Sequence, residues 1–140
     1  MKTATVLDDV KIHVKLKLSA LWASVMFCYV YGDYFELYKP GKLQEMLKGI
    51  MGPLGAVTQG MLFGTAVMMA IPSVMIFLSL ALKPKLNRRL NIVLGTLYTL
   101  IMLSIIPGAW AFYLFLGVVE VVLTASIVWH AWKWPKQEAA

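Results

Sequence analysis

Apolar residues run in four long blocks, at about 18–38, 54–82, 88–106 and 109–132, with polar residues gathered in the breaks between them. Each block can cross a hydrocarbon core, which takes roughly 20 residues as a helix. The pattern predicts an all-α integral membrane bundle of four helices, filling one membrane domain over residues 1–140. Lys39-Pro40-Gly41 should stop the first helix. A short helix over Gly41 to Lys48 should follow, its apolar side made by Leu43, Met46, Leu47 and Ile50, lying on the membrane surface. Gly49, Gly52, Pro53 and Gly55 break it. Pro72 removes a backbone donor inside the second span and should kink it. Pro107-Gly108 leaves only a short turn, so the third and fourth spans form a hairpin.

Ahead of the first block, Val10 to Leu18 alternates apolar and polar residues, a strand pattern. A lone strand in lipid would leave its backbone unpaired. The stretch therefore reads as an interfacial lead-in, with Lys11, Lys15 and Lys17 at the headgroups. It follows a tail containing Asp8 and Asp9, and Tyr31-Gly-Asp33 is a poor cleavage site. The first block is thus expected to be a permanent span and not a signal peptide.

Helical spacing places residues three, four or seven apart on one side. Trp22, Met26, Tyr29, Asp33 and Glu36 share a side of the first span. Gln59, Ala66, Ala70 and Ser73 share one on the second, and Asn87, Asn91, Gly95, Tyr98 and Met102 on the third. On the fourth they are Tyr113, Gly117, Glu120 and Thr124. These stripes hold most of the polar and small residues, so they should face each other and not lipid. Gly60-Met-Leu-Phe-Gly64 is a further small-residue pair that would let another helix approach closely.

The 140-residue composition agrees: 60% hydrophobic and only 14% charged, where a soluble domain carries about a quarter charged residues. The net charge of +6 does not point to nucleic acid, because the basic residues cluster at the ends of the apolar blocks. Lys2, Lys11, Lys15 and Lys17, then Lys83, Lys85, Arg88 and Arg89, then Lys133 and Lys136 fall on one side of a four-span arrangement. Lys39, Lys42 and Lys48 fall on the other. Both termini are therefore expected in the cytoplasm, with the chain in the inner, cytoplasmic membrane. The single cysteine, Cys28, excludes an internal disulfide and a CxxC motif. No metal cluster, phosphate loop or nucleophile–base pair can be read, and the sequence names no cofactor.

The candidate chemistry is acidic. Glu120 stands in the middle of Leu116-Gly-Val-Val-Glu-Val-Val-Leu123, where a carboxylate costs on the order of 2–3 kcal/mol or more to insert. Its functional readings are a proton carrier, an acid/base, or an anchor for a cationic or hydroxylated ligand. The structural alternative is a protonated carboxyl bonded to Tyr98, a threonine or nearby backbone. At about 1.5 Å rise per residue, Asp33 lies roughly 7 Å below its helix end, and Gln59 lies at a similar depth. The expected site is an outward-opening polar cavity with Glu120 at the floor and Asp33 and Glu36 near the mouth. Tyr29, Tyr98, Tyr113 and Gln59 complete the candidate ligand-binding set. Tyr31, Tyr34 and Tyr38 read as interfacial belt residues, with Lys39 as a partner for the nearby acids, and the nine methionines as apolar filler.

At these residues the chain resembles a known family. Leu21-Trp22, Phe27-Cys-Tyr-Val-Tyr-Gly-Asp33, Leu37-Tyr-Lys-Pro-Gly41, Thr58-Gln-Gly60, Ile71-Pro72, Asn87-Arg88 with Asn91, Glu120 and Trp129-His-Ala-Trp-Lys-Trp134 carry the likeness. The family is one of small bacterial four-helix integral membrane proteins known only as a domain of unknown function. The resemblance implies that Asp33, Gln59 and Glu120 are family positions. It also implies an asparagine where Cys28 stands and an acid where Ala70 stands, as if polar groups had left the pocket. A looser likeness to DoxX-like proteins is one of architecture and carries no function. Three functions compete: a binding protein or small enzyme for a hydrophobic or amphipathic ligand, a proton-coupled oligomeric transporter or channel, and an accessory subunit of a membrane complex. The expected partners are the lipid bilayer, a hydrophobic small molecule and further copies of the chain.

Overall fold

The computed structural model describes residue 7 and residues 9–136. Lys2 and Asp8 of the charged tail lie outside the described residues. The elements are α1 (Val14–Glu36), α2 (Lys42–Leu47), α3 (Gln59–Ala81), α4 (Pro84–Ile105) and α5 (Ala111–Trp132), with one 3-10 turn at Gly52–Leu54. The described residues form no strand. The four long helices are each long and apolar enough to cross a membrane, the architecture of a multi-pass membrane protein.

Helix ends depart from the hydrophobic blocks where capping decides them. The first helix starts at Val14 and not at 18, because His13 Nδ1 accepts from the Lys15 N–H at 3.2 Å. Val14 and Leu18, one turn apart, are then buried on the same face, and the strand-like alternation is overridden. The second long helix starts at Gln59 and not at 54, capped by Thr58 Oγ1, which accepts from the Met61 N–H at 3.2 Å. The third starts at Pro84 and not at 88, since proline at the first helical position wastes no hydrogen bond. The basic stretch Lys83 to Arg89 is therefore mostly the first turn of α4 and not a loop.

In the bundle α1 packs on α3 and on α5, and α5 packs on α4. Helices α3 and α4 are consecutive in sequence yet touch only slightly. The start of α1, the α3–α4 turn and the end of α5 gather at one end. There, Lys15 Nζ donates to the carbonyls of Leu80 and Leu82 at 3.1 and 2.8 Å, closing the end of α3. Arg88 Nε donates to the Ala131 carbonyl at 3.1 Å and does the same for α5. Lys15 and Arg88 thus cap helix ends.

This termini end is the packed half. Its core is Leu18, Trp22, Val25, Met75, Tyr98 and Ile127. A buried polar network runs through it. Trp22 Nε1 donates to Asn91 Oδ1 at 2.8 Å, Asn91 Nδ2 donates to Asn87 Oδ1 at 2.7 Å, and Asn87 Nδ2 donates to the Ser79 carbonyl at 2.6 Å. The last bond ties α4 to an otherwise unpaired carbonyl near the end of α3.

On α4, the five residues expected on one face are the five that are buried. On α5, Gly117, Glu120 and Thr124 are buried as expected. The second long helix is different. Gln59, Ala66, Ala70 and Ser73 are exposed, and Pro72, Met75 and Ser79 face the bundle. Ser73 can stay outside the bundle because it bonds back to its own helix, Ser73 Oγ donating to the Met69 carbonyl at 2.8 Å. Close helix approach also lies elsewhere. A Cβ at Gly60 or Gly64 would meet nothing within 4 Å, whereas one at Gly95 would stand 2.9 Å from Val128 and one at Gly117 2.8 Å from Ile106. Glycine is needed at Gly95 and Gly117, where side chains press onto the backbone.

Candidate functional site

The opposite half of the bundle is open. Where α1 ends, Lys39-Pro40-Gly41 turns the chain into α2, with Gly41 at φ +84. The segment after α2 folds back on itself. The Val57 N–H donates to the Gly49 carbonyl at 2.7 Å and the Met51 N–H to the Gly55 carbonyl at 2.8 Å. Gly49, Gly52 and Gly55 all have positive φ, a conformation that residues with a Cβ rarely adopt. The result is a compact cap over residues 42–57.

Beneath the cap is a cavity of about 500 Å³. From α1 it is lined by Tyr29, Gly32, Asp33 and Glu36, and from α5 by Tyr113, Leu116 and Glu120. From α3 come Leu62, Thr65, Met68 and Met69, and from α4 Tyr98, Ile101, Met102 and Ile105. The cap adds Lys42, Met46, Ile50, Met51, Leu54 and Val57. The wall is mostly apolar, with the carboxyls and tyrosines concentrated on α1 and α5.

Six of the seven candidate residues therefore meet in one place: Glu120, Asp33, Tyr29, Tyr98, Tyr113 and Glu36. Gln59 does not. As the first residue of α3 it is exposed and lies off the cavity wall. The later start of α3 puts Gln59 at the helix mouth, where its stripe no longer points inward. Cys28 and Ala70 do not line the cavity either. The belt residues Tyr31, Tyr34 and Tyr38 are exposed, as expected for an interface.

Several polar groups on the wall are already committed. Glu36 Oε1 lies 3.4 Å from both Lys39 Nζ and Lys42 Nζ. The expected partner Lys39 is thus joined by Lys42, which fastens α2 to the end of α1. The Tyr98 hydroxyl donates to the backbone carbonyl of Met68. That carbonyl is four residues before Pro72, which has no N–H to give it. Tyr98 thus replaces the bond that proline withholds, and pins α3 to α4 at the cavity floor. Thr65 Oγ1 donates to the Met61 carbonyl at 3.0 Å.

The structural alternative for Glu120 can now be judged. Tyr98 spends its one hydroxyl hydrogen on the Met68 carbonyl and makes no hydrogen bond to the Glu120 carboxyl. Thr124 Oγ1 donates to the backbone carbonyl of Glu120 at 2.9 Å, not to its carboxyl, and accepts from Thr99 at 2.7 Å. The Glu120 residue is 3% exposed, and its Oε2 is buried with no hydrogen-bond partner among the described residues. Buried polar atoms are nearly always paired, so an orphan carboxyl oxygen beside a cavity is unusual. Asp33 makes no ion pair within 4.0 Å among the described residues.

Sequence reasoning did not find the cap as a cavity wall. The expected apolar side of α2 splits: Met46 and Ile50 line the cavity, while Leu43 and Leu47 do not. The amphipathic pattern was the available signal, but it does not say what the apolar side covers. Met68 and Met69 read as filler, yet they form the α3 wall.

Residues 7–140 match the model of a family described as a family of unknown function (DUF6326). The chain belongs to that family, in keeping with the resemblance seen in its motifs. No curated protein matches the chain, and no solved structure does.

Proposed function

We propose that this member of the family of unknown function DUF6326 binds a hydrophobic or amphipathic small molecule in the cavity under the cap, as a binding protein or a small enzyme. The observation that carries the reading is an apolar cavity of about 500 Å³ whose wall includes a buried, unpartnered carboxyl. Ligand pockets have this size and this balance of apolar wall and few polar groups. The ligand would enter from the bilayer between α3 and α4, the pair of neighbouring helices with the least contact. The bias of basic residues toward the other end of the bundle supports a cytoplasmic position for that end, so the cap would face outward across an inner membrane.

Photolabelling tests this. An alkyl diazirine of fatty-chain length is offered to the protein in lipid nanodiscs, and labelled peptides are mapped by mass spectrometry. Saturable labelling on α4 residues 98–105 and α5 residues 113–120, blocked by Met69→Trp, is expected. Labelling that does not saturate and spreads over the lipid-facing side chains would remove the proposal.

A second reading, an oligomer or accessory subunit, draws on α3. It is the least buried of the four spans and presents Phe63, Val67, Val74 and Phe77 outward beside Gly60 and Gly64. Cross-linking of cysteines placed at Gly64 and Phe77 in native membranes would test for a neighbouring helix.

A further inference from the structure

The cavity's unspent hydrogen-bonding groups restrict the chemistry of its occupant. On the wall, Glu36 and Lys42 satisfy each other, Thr65 bonds its own helix, and Tyr98 donates to Met68. What remains is the Glu120 carboxyl, the Asp33 carboxyl and the hydroxyls of Tyr29 and Tyr113. Three carboxyls face the cavity and a single lysine does, and that lysine is held by Glu36. A carboxylate accepts and does not donate. The tyrosine hydroxyls can donate or accept, but the two carboxyls of Glu120 and Asp33 have no cation paired to them among the described residues. Tyrosine faces, which attract cations, flank the floor: Tyr29 and Tyr98 lie with ring centroids 6.4 Å apart.

The apolar part of the wall lies on the other side. Met68 and Met69 of α3 and Ile101 and Ile105 of α4 make a greasy channel toward the sparse α3–α4 contact. An occupant with its polar end at Glu120 would lay its apolar part along these residues and into the bilayer. Resting on the binding reading above, we infer that the occupant is an amphiphilic amine, whose ammonium N–H donates to Glu120 and whose tail leaves between α3 and α4. One N–H···Oε2 bond would satisfy the orphan acceptor, and the positive charge would match the burial of the carboxylate. Asp33, nearer the cap, would attract the cation on its way in. An anionic or purely accepting head would leave Oε2 unsatisfied and add like charge.

Matched twelve-carbon ligands separate this inference from the reading beneath it. Dodecylamine, dodecanol and dodecanoate are titrated at neutral pH against the protein in zwitterionic nanodiscs, with empty nanodiscs as the baseline. Binding is read as displacement of a saturable diazirine label. The amine should compete at least about tenfold better than the alcohol, the ratio expected for one charge-assisted hydrogen bond. In Glu120→Gln, which keeps the shape of the side chain, that preference should fall toward one. Competition by amine and alcohol at equal concentration in the wild-type protein overturns the amine assignment and leaves the binding reading standing. Stronger competition by dodecanoate also overturns it. No competition by any of the three overturns the amine assignment, and a label that does not saturate overturns both. The wild-type selectivity needs no variant, so the inference remains falsifiable even if Glu120→Gln does not fold.

Discussion

The bond from Tyr98 to Met68 leads to a sharp prediction. Tyr98 is 2% exposed, and its hydroxyl serves a carbonyl that Pro72 leaves without a helical donor. Tyr98→Phe removes one oxygen and keeps the ring, so the edge-on packing with Trp22 at a centroid distance of 6.0 Å survives. What is lost is one hydrogen bond, and what is left is a carbonyl with no donor in an apolar setting. An unsatisfied buried group costs about 1–3 kcal/mol, while side-chain bonds between membrane helices average about 0.6 and reach about 1.7 kcal/mol. The expected loss is therefore about 1–2 kcal/mol. Pro72→Ala restores an N–H at position 72, which can donate to the Met68 carbonyl by itself. In that background Tyr98→Phe should cost only a few tenths of a kcal/mol, giving a coupling of about 1 kcal/mol. The side-chain volume lost at position 72 appears on both sides of the cycle and cancels. Reversible unfolding in bicelles measures all four variants. If Tyr98→Phe costs the same with proline and with alanine at position 72, Tyr98 does not substitute for the missing donor.

Four further outcomes follow from the packing. Gly95→Ala should lose about 1–3 kcal/mol in the same unfolding assay, because its new Cβ meets Val128 at 2.9 Å and the Thr124 carbonyl oxygen at 3.3 Å. Gly64→Ala, with open space around it, should leave the monomer unchanged, so a loss of stability there would reveal a helix packed on α3. Asn91→Leu strands the Trp22 indole N–H and leaves Asn87 Oδ1 without its donor, and should cost about 2–4 kcal/mol from the buried bonds it breaks. Glu36→Gln weakens the tie to Lys42; hydrogen exchange over residues 42–57 should rise several-fold while the midpoint of unfolding barely moves.

Much of the bundle could be read directly from the chain. On α4 the buried face of Asn87, Asn91, Gly95, Tyr98 and Met102 was legible because small and polar residues recur there at helical spacing against an apolar background. The same contrast exposed Glu120, since a carboxyl amid valines has no local explanation. On α3 the contrast fails: nearly every residue is apolar, so periodicity cannot tell lipid from protein, and Gln59, Ala66, Ala70 and Ser73 were drawn inward wrongly. Helix starts at Val14, Gln59 and Pro84 were misplaced because caps, not hydropathy, set them.

The sequence by itself determined four membrane-length helices, a short helix after the first of them, and an acid that needs a partner. These follow from local quantities: the length of an apolar run, the period of the helix, the cost of charge in lipid. Tertiary structure decided that the acid's Oε2 meets no partner among the described residues. Tyr98 could have bonded Glu120, but Pro72, on another helix, left the Met68 carbonyl in greater need of its hydroxyl. Hydrogen-bond partners are allotted by competition across helices, and such competition cannot be read along one strand of sequence. The same holds for the cavity, which exists because one half of the bundle packs tightly around Trp22 while the other parts beneath the cap.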